Sequence, residues 1–339
     1  MRRHALLLPL LCLSLALPAV AAGSAKTSWA QPQIKLITAR GWMGGDASTF
    51  KPDSPLTQNA LSELVADLTE QASTTPATSE APVTMAALDS SLVRALGLRD
   101  AADAFARAAR TAGLAPPSRF GSEVVARLLG LRTNHPAGQD SLELLPQDDA
   151  TRAETAFSAA RILGLGEWET QSVQDEALTF ELPQLTPWQR QILRKAVSFI
   201  GYPYIWGGTS EKPQAPLGIQ TPGGFDCSGF VWRVYKLQTY AGAPQLNQTI
   251  RGRTTMQMSG EVPKSTRIPF DAIEPGDVLF FGARGPKSKP AEINHTGIYL
   301  GDGWFVHSSG YGVALARLDG WYRSGYAWAR SPLAEAGLA

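Results

Sequence analysis

Residues 223–235 read GGFDCSGFVWRVY, and this stretch decides how the second half of the chain folds. Apolar residues such as Phe230 and Val234 recur at helical spacing, and Asp226 belongs to the residue types that cap helix N-termini. Cys227 is therefore predicted to lie in the first turn of a helix. There the unpaired N–H groups and the positive end of the helix dipole favour the thiolate, the nucleophilic form of cysteine. The alternative is a buried structural cysteine.

The composition is that of an ordinary soluble protein, and its charge gives no reason to expect a nucleic-acid partner. The chain has 339 residues, of which 44% are hydrophobic and 18% are charged. Its 31 basic and 30 acidic residues give a net charge of +1, so there is no basic excess to neutralise phosphates. We expect no nucleic-acid partner, and the length suggests two domains.

Residues 1–22 have the pattern of a signal peptide, with two arginines, an apolar run and a small-residue end. The apolar run is too short to span a bilayer comfortably, and nothing later resembles a membrane helix. Cys12 lies within this run and is expected to leave with the signal. The mature chain is therefore predicted to be secreted, without a transmembrane segment, and to hold Cys227 as its one cysteine, without an internal disulfide.

A candidate base for the thiol comes from two histidines that flank a Gly-Asp-Gly turn. His295 and His307 lie in alternating apolar runs, which is the pattern of a β-hairpin. If all three turn residues form the loop, Leu300 opposes Trp304 and Gly297 opposes His307. His295 then lies diagonal to His307 on the same face, whereas a two-residue loop puts the two on opposite faces. In the first register His295 can accept the thiol proton while His307 orients its ring.

Zinc is the competing interpretation of this group, because one cysteine and two histidines are zinc ligands. Closely spaced ligand pairs such as CxxC or HExxH do not occur in the sequence. We therefore expect neither a metal nor an organic cofactor.

The first half of the mature chain, residues 31–180, is predicted to be helical. Thr57 and Thr151 each open a helix after a proline-containing loop, which suggests an internal repeat. Further helical patterns run through residues 88–96, 101–112 and 124–129. The polar stretch 71–82 is predicted to be a flexible surface connection.

The sequence TRAE at residues 151–154 resembles the signature of S-layer homology repeats. In other proteins such small helical units hold exported proteins to cell-wall polysaccharide. The first repeat departs from the signature, since Gln58 and Ala60 stand where the Arg and Glu are expected. The resemblance implies an all-α region that binds the wall. The alternative is a helical spacer that packs on the second domain without holding a ligand.

The second domain is predicted at residues 186–332, after a linker around residues 180–186 that carries Pro183. Its motifs resemble, in order, those of the NlpC-type cell-wall cysteine peptidases, which are papain-like enzymes that cut peptidoglycan stem peptides. The motifs are YIWGG (204–208), FDCSGF (225–230), PGDVLFF (275–281) and HTGIYL (295–300), followed by His307. The resemblance implies an α+β fold in which a helix carrying Cys227 packs on an antiparallel sheet carrying two histidines.

The same resemblance implies a role for each matching residue. Cys227 is the nucleophile, His295 the general base and His307 the third, orienting member. Tyr204 is placed where its hydroxyl can help the Cys227 backbone N–H to hold the oxyanion. In some members of the family, the residues that match Asp226 and Ser228 bind the free amine of the first alanine of the stem peptide.

The function implied is hydrolysis of peptidoglycan between D-γ-glutamate and a diamino acid, usually diaminopimelate, by a bacterial protein of the cell wall. A related amidase or poly-γ-glutamate hydrolase on the same fold is one alternative, and a wall-binding protein with an idle catalytic domain is another. The stretch 210–224 is longer than the family's usual loop and is expected to lie over the cleft. The basic group Arg251-Gly252-Arg253 is interpreted as solvated surface, with contact to substrate carboxylates as the alternative.

Overall fold

A computed structural model describes residues 27–70, 79–136 and 138–339. The predicted signal peptide lies outside the described residues, as does most of the predicted connection at 71–82. The described chain has a helical first half and a second half of mixed helices and strands, which gives an α+β protein overall. No helix in the described part is long and apolar enough to cross a membrane.

The first half consists of helices, with long connections at 39–57, 70–84 and 129–151 and short ones between the others. They are α1 (Gln31–Thr38), α2 (Gln58–Thr69), α3 (Met85–Ala95), α4 (Arg99–Thr111), α5 (Phe120–Leu128), α6 (Arg152–Leu163) and α7 (Glu167–Thr179). The predicted caps are confirmed, because the Thr57 and Thr151 hydroxyls accept hydrogen bonds from backbone N–H groups three residues on, at 3.3 and 3.2 Å.

A third helix start joins these two in a closed ring of backbone hydrogen bonds. Leu56 N–H donates to the carbonyl of Ala150 at 2.7 Å, Ala150 N–H to Val83 at 2.7 Å, and Val83 N–H to Leu56 at 2.9 Å. Each residue precedes the threonine that caps α2, α6 or α3, and the third of these caps is Thr84. The ring thus gathers three helix N-termini around one buried centre, where the sequence indicated only two.

The residues of the TRAE sequence are used inside the helical region. Arg152 donates to the backbone carbonyls of Phe50 at 2.8 Å and Met43 at 2.6 Å. Glu154 is buried, and its carboxylate lies 3.0 Å from the His135 ring. Both charged groups therefore hold the region's own loops.

The second half contains six α-helices, several short 3-10 helices and two sheets within the described residues. The helices are α8 (Pro187–Ser198), α9 (Cys227–Tyr235), α10 (Leu246–Thr249), α11 (Thr255–Gly260), α12 (Gly320–Gly325) and α13 (Pro332–Glu335). The strands are β1 (Thr209–Ser210), β2 (Gly224–Phe225), β3 (Val278–Gly282), β4 (Ile293–Gly301), β5 (Trp304–Ser309), β6 (Gly312–Arg317) and β7 (Tyr326–Arg330). Strands β1 and β2 form a small ribbon, and the main sheet is antiparallel in the order β6-β5-β4-β3-β7.

The β4–β5 hairpin puts His295 and His307 on the same face of the sheet, as predicted, but the turn differs from the predicted three-residue loop. Gly297 pairs with His307, which confirms that part of the prediction. The predicted pairing of Leu300 with Trp304 is wrong, because Gly301 pairs with Trp304 and the register shifts between Tyr299 and Gly301. A bulge at Leu300 supplies the extra residue that keeps both histidines on one face.

The two halves share one hydrophobic core. Phe105 of α4, Phe180 of the predicted linker and Trp304 of β5 pack with ring centroids 5.0 to 5.8 Å apart. Arg119 donates to the carbonyls of Ser198 and Ile200 at the end of α8. The helical region is therefore packed against the sheet domain, and the segment that joins them buries Phe180 and Leu185 in the shared core.

Candidate active site

Cys227 lies where the sequence predicts it, at the first position of α9. The Asp226 carboxylate caps the helix by accepting the Gly229 N–H at 2.5 Å. The helix packs its apolar side on β4 and β5, with Phe230 and Val231 fully buried. This packing holds the sulfur against the middle of the sheet and leaves Cys227 only 8% exposed.

The expected thiolate is not favoured in this unliganded site. Burial, with a smaller contribution from the nearby Asp226 charge, raises the pKa of Cys227 to about 12. Hydrogen bonds from the backbone N–H groups of Ser228 and Thr296 oppose the rise without cancelling it. The prediction from the helix dipole is therefore wrong for the resting site, because the loss of solvation outweighs the helix terminus.

His295 and His307 contact each other directly. Nε2 of His295 lies 2.8 Å from Nδ1 of His307, and the two rings are nearly perpendicular, at 87°. Burial lowers the pKa of His295 to about 4 and holds the pKa of His307 well below its usual range. Both rings are therefore neutral at pH 7, so one ring donates and the other accepts.

The backbone of β4 places His295 near the sulfur of Cys227. Thr296, the residue after His295, directs its backbone N–H to the sulfur of Cys227. Since Nε2 of His295 is occupied by His307, Nδ1 is the ring nitrogen left for a proton from the thiol. In that tautomer the His295 Nε2–H donates to His307 Nδ1.

Two aromatic side chains of α12 complete the histidine side of the cleft. The Tyr322 hydroxyl lies 3.4 Å from Nδ1 of His307, and its ring packs 5.9 Å from that of His295. Trp321 lies 6.5 Å from the His295 ring and is 47% exposed.

Tyr204 lies near the sulfur, in the loop after α8. Burial raises the pKa of its hydroxyl, and the Cys227 charge is the next largest cause, which places the two groups close together. The phenol therefore stays protonated and can donate a hydrogen bond. Asn134 of the helical region fixes this loop by bonding both the N–H and the carbonyl of Tyr204, each at 3.3 Å.

Asp226 and Ser228, the expected amine-binding pair, are engaged by an arginine. Arg253 reaches the two carboxylate oxygens of Asp226 at 3.0 and 2.9 Å and the Ser228 hydroxyl at 2.8 Å. The Asp226 carboxylate also accepts from Ser228, Gly229 and the Gly207 N–H. The Asp226 carboxylate therefore links the loop that carries Tyr204 to the start of α9.

The interpretation of residues 251–253 as solvated surface is wrong for Arg253. Its side chain crosses from the loop before α11 to the start of α9, a contact between residues 27 positions apart. Only the basic character of the group hinted at such a role. Arg251, by contrast, is exposed.

Within residues 27–70, 79–136 and 138–339, no three His, Cys, Asp or Glu side chains are grouped so that they could hold an ion. The described geometry is that of a thiol beside a pair of neutral imidazoles.

Comparisons with known proteins agree with the motifs of the second half. The chain is 34% identical over 124 residues to a probable endopeptidase of Mycobacterium tuberculosis, covering 37% of this chain and 24% of that protein. It is 30% identical over 125 residues to a γ-D-glutamyl-L-lysine dipeptidyl-peptidase of Bacillus subtilis, covering 37% of this chain and 33% of that protein. It is 33% identical over 132 residues to the probable peptidoglycan endopeptidase LytE of Bacillus subtilis, covering 39% of this chain and 30% of that protein.

These similarities are confined to part of each protein, since the chain spans a quarter to a third of the length of these relatives. A crystal structure of an NlpC/P60 family protein from Bacillus cereus is 26% identical and aligns with a TM-score of 0.33, covering 45% of this chain and 42% of that one. The sequence model of the NlpC/P60 family matches residues 201–330. Residues 201–330 therefore form an NlpC/P60 domain.

Proposed function

We propose that this protein is a peptidoglycan hydrolase that cleaves the bond between D-γ-glutamate and a diamino acid in cell-wall stem peptides. Cys227 is the nucleophile, His295 the general base and His307 the residue that orients it. The observation that carries the proposal is the 2.8 Å contact between the His295 and His307 rings, beside a cysteine at a helix N-terminus. The similarity to relatives named as peptidoglycan endopeptidases supports the substrate class.

The reaction begins with a neutral thiol and a neutral imidazole. As the sulfur attacks the γ-glutamyl carbonyl carbon, its proton passes to Nδ1 of His295, and the carbonyl electron pair becomes an oxyanion. The Cys227 backbone N–H and the Tyr204 hydroxyl donate to that oxyanion. The proton on His295 then goes to the leaving amine, which departs and leaves a thioester.

Water completes the cycle by the same route. His295 takes a proton from water as its oxygen attacks the thioester carbonyl, and the released sulfur recovers a proton from the imidazolium. The hydrogen bond to His307 keeps the ring in position through both halves. Because the thiol and the imidazole are both neutral at rest, thiol deprotonation is coupled to attack.

For the rest of the chain we propose export to the cell wall and a division at about residue 180 into a helical region and the catalytic domain. The helical region acts mainly as a structural spacer, because Arg152 and Glu154 hold its own loops and its core continues into the second half. Binding of wall polysaccharide through its repeats, as in S-layer homology proteins, is the alternative. Pelleting of Cys227→Ala protein with purified walls, before and after removal of wall polysaccharide, separates the two.

The function is tested by mass spectrometry of purified peptidoglycan digested by the protein and by its Cys227→Ala variant. New fragments that end at D-γ-glutamate, made only by the unaltered protein, would establish the bond and the nucleophile together. Release of the stem peptide from the sugar would instead favour an amidase, and cleavage of poly-γ-glutamate alone a hydrolase of that polymer. Intact peptidoglycan in every digest, with protein still bound to walls, would favour a binding protein.

A further inference from the structure

A cavity of about 510 Å³ lies next to Tyr204 and is shared by both halves of the chain. Asn134 and Asp140 of the helical region form one wall, and Leu217 and Ile219 of the stretch 210–224 form another. Trp206 lies between them. Because Tyr204 borders both this cavity and the sulfur of Cys227, the cavity opens beside the reacting bond.

The walls of the cavity are held in place by hydrogen bonds between different segments of the chain. The loop that carries Tyr204 is fastened to the helical region by the two Asn134 hydrogen bonds, and the Trp206 N–H lies 3.4 Å from the Asp140 carboxylate. The stretch 210–224 is itself ordered by the β1–β2 ribbon and by the pairing of Gln214 with Thr221. Three separate segments of the chain therefore converge on one space.

Its lining is apolar and exposed, with a polar rim. Trp206 is 62% exposed, Leu217 77% and Ile219 48%, although large apolar side chains elsewhere in this domain are mostly buried. Exposed apolar residues gathered around a cavity indicate a binding surface. Asn134 and Asp140 supply an amide and a carboxylate at its edge.

The charges of the lining disfavour the acidic parts of a stem peptide. No lysine or arginine of the described chain lines the cavity, and Asp140 is acidic. His135 is the other charged residue at the cavity. Burial opposes its protonation, but hydrogen bonds to Glu143 and Glu154 raise the pKa of its ring to about 9. The two carboxylates offset the positive charge of the ring. A carboxylate would meet repulsion here, so an anionic occupant is disfavoured. The apolar lining and the acceptors at the rim suit a neutral group with an apolar face and several hydroxyl or amide N–H donors.

We propose that this cavity binds the N-acetyl sugar ring to which the stem peptide is attached, so that the protein acts on sugar-linked peptides in preference to free ones. The proposal rests on the function proposed above. The apolar face of the ring lies on Trp206, the acetyl methyl group contacts Leu217 and Ile219, and hydroxyl groups donate to Asp140.

The reach is consistent with the chemistry. Alanine and a γ-linked glutamate separate the sugar from the scissile carbonyl, and because the γ-linkage adds two methylene groups an extended chain spans roughly 10 Å or more. The cavity lies near the nucleophile, because Tyr204 both lines it and lies close to Cys227. Asp226 is held by Arg253, so it does not compete for this end of the substrate.

The test compares two substrates, an N-acetylmuramoyl tripeptide ending in diaminopimelate and the same tripeptide with a free N-terminal amine. The kcat/KM of the full chain is measured on both, with Trp206→Ala and Leu217→Ser as the cavity variants. Trp168→Ala and Leu178→Ser are matched controls, because these residues of α7 are equally exposed, at 73% and 79%, and do not line the cavity.

We expect the unaltered protein to prefer the sugar-linked peptide, and Trp206→Ala to lose about tenfold on that substrate and less than about twofold on the free one. Equal losses on both substrates, or losses as large in the controls, would overturn the proposal. Preference for the free peptide would also overturn it and would assign Asp140 to the amine.

A binding measurement separates this proposal from the proposed function. Calorimetric titration of Cys227→Ala protein with the N-acetylmuramoyl tripeptide needs no turnover. Tighter binding of the sugar-linked than of the free tripeptide, lost in the added Trp206→Ala variant, supports the sugar site even if neither substrate is cleaved. Indistinguishable binding of the two peptides refutes the sugar site, whether or not cleavage occurs.

Discussion

Replacing Arg253 by methionine tests the contact that joins three parts of the catalytic cleft. The guanidinium donates to both oxygens of Asp226, to the Ser228 hydroxyl and to the Gly208 carbonyl, at 2.8 to 3.3 Å. Methionine keeps most of the length of the side chain but removes the charge and all four hydrogen bonds. It leaves the Asp226 carboxylate without its cation.

The magnitude follows from the exposure of the two side chains. Breaking a fully buried pair costs about 3–5 kcal/mol, and an exposed pair contributes about 0–1 kcal/mol. The Arg253 and Asp226 side chains are 28% and 13% exposed, so we expect Arg253→Met to lower the free energy of unfolding by roughly 2 kcal/mol. In a chain of this size, that corresponds to a fall in Tm of roughly 3 °C.

The activity should fall as well, because the charges of Arg253 and Asp226 act on the thiol in opposite directions. Asp226 raises the pKa of Cys227 and Arg253 lowers it, so the variant has a still less acidic thiol and alkylates more slowly. The assay combines urea unfolding, iodoacetamide labelling and turnover. Arg251→Met is the matched control, since that side chain is exposed and lies two residues away.

A double-mutant cycle with Asp226→Asn isolates the pair. We expect a coupling free energy of about 1–2 kcal/mol between the two positions. A change below about 0.5 kcal/mol in Arg253→Met, similar to that in Arg251→Met, would refute the claim that this ion pair organises the cleft.

The remaining predictions concern the reacting groups. In the resting protein, iodoacetamide should label Cys227 faster as pH rises through 9 and 10, because the raised pKa of the thiol, about 12, makes thiolate scarce at neutral pH. A labelling rate that stays constant between pH 5 and 8 would instead indicate a preformed ion pair with His295. Tyr204→Phe should lower kcat about 100-fold with little change in KM or Tm, and an unchanged kcat would remove its hydroxyl from the oxyanion site. His307→Gln should retain more kcat than His307→Ala, by about tenfold, because the amide oxygen can still accept from His295; equal losses would argue against an orienting hydrogen bond.

The sequence predicted the features that depend on local pattern. The start of α9, its cap at Asp226 and the helix caps at Thr57 and Thr151 follow from neighbouring residues, and the structure contains all of them. The pairing of Gly297 with His307 was predicted from the alternation of apolar residues, which fixes the face of each side chain. The bulge that secures this register carried no signal of its own.

The features that the sequence did not predict arise from contacts between distant segments. Nothing near Arg253 indicates that it meets Asp226, and the third helix start at Thr84 lacks the Arg and Glu of the TRAE sequence. The sequence did contain a pattern that marks the helix start at Thr84, since a proline, an apolar residue and a threonine precede α2 and α3 alike. The thiol pKa was predicted in the wrong direction because the burial of Cys227 is set by how α9 packs on the sheet.

The central claim is that Cys227 forms a thioester with the γ-glutamyl carbonyl. Its most direct test is acid quenching of the protein within one turnover of an L-alanyl-γ-D-glutamyl-diaminopimelate peptide, with and without the attached N-acetyl sugar, followed by mass spectrometry of the protein. We predict that the mass of the acyl fragment is added to the peptide that contains Cys227, and that the added mass disappears on treatment with hydroxylamine. Cleavage of the substrate without any such adduct, and with undiminished activity in Cys227→Ala, would contradict the account.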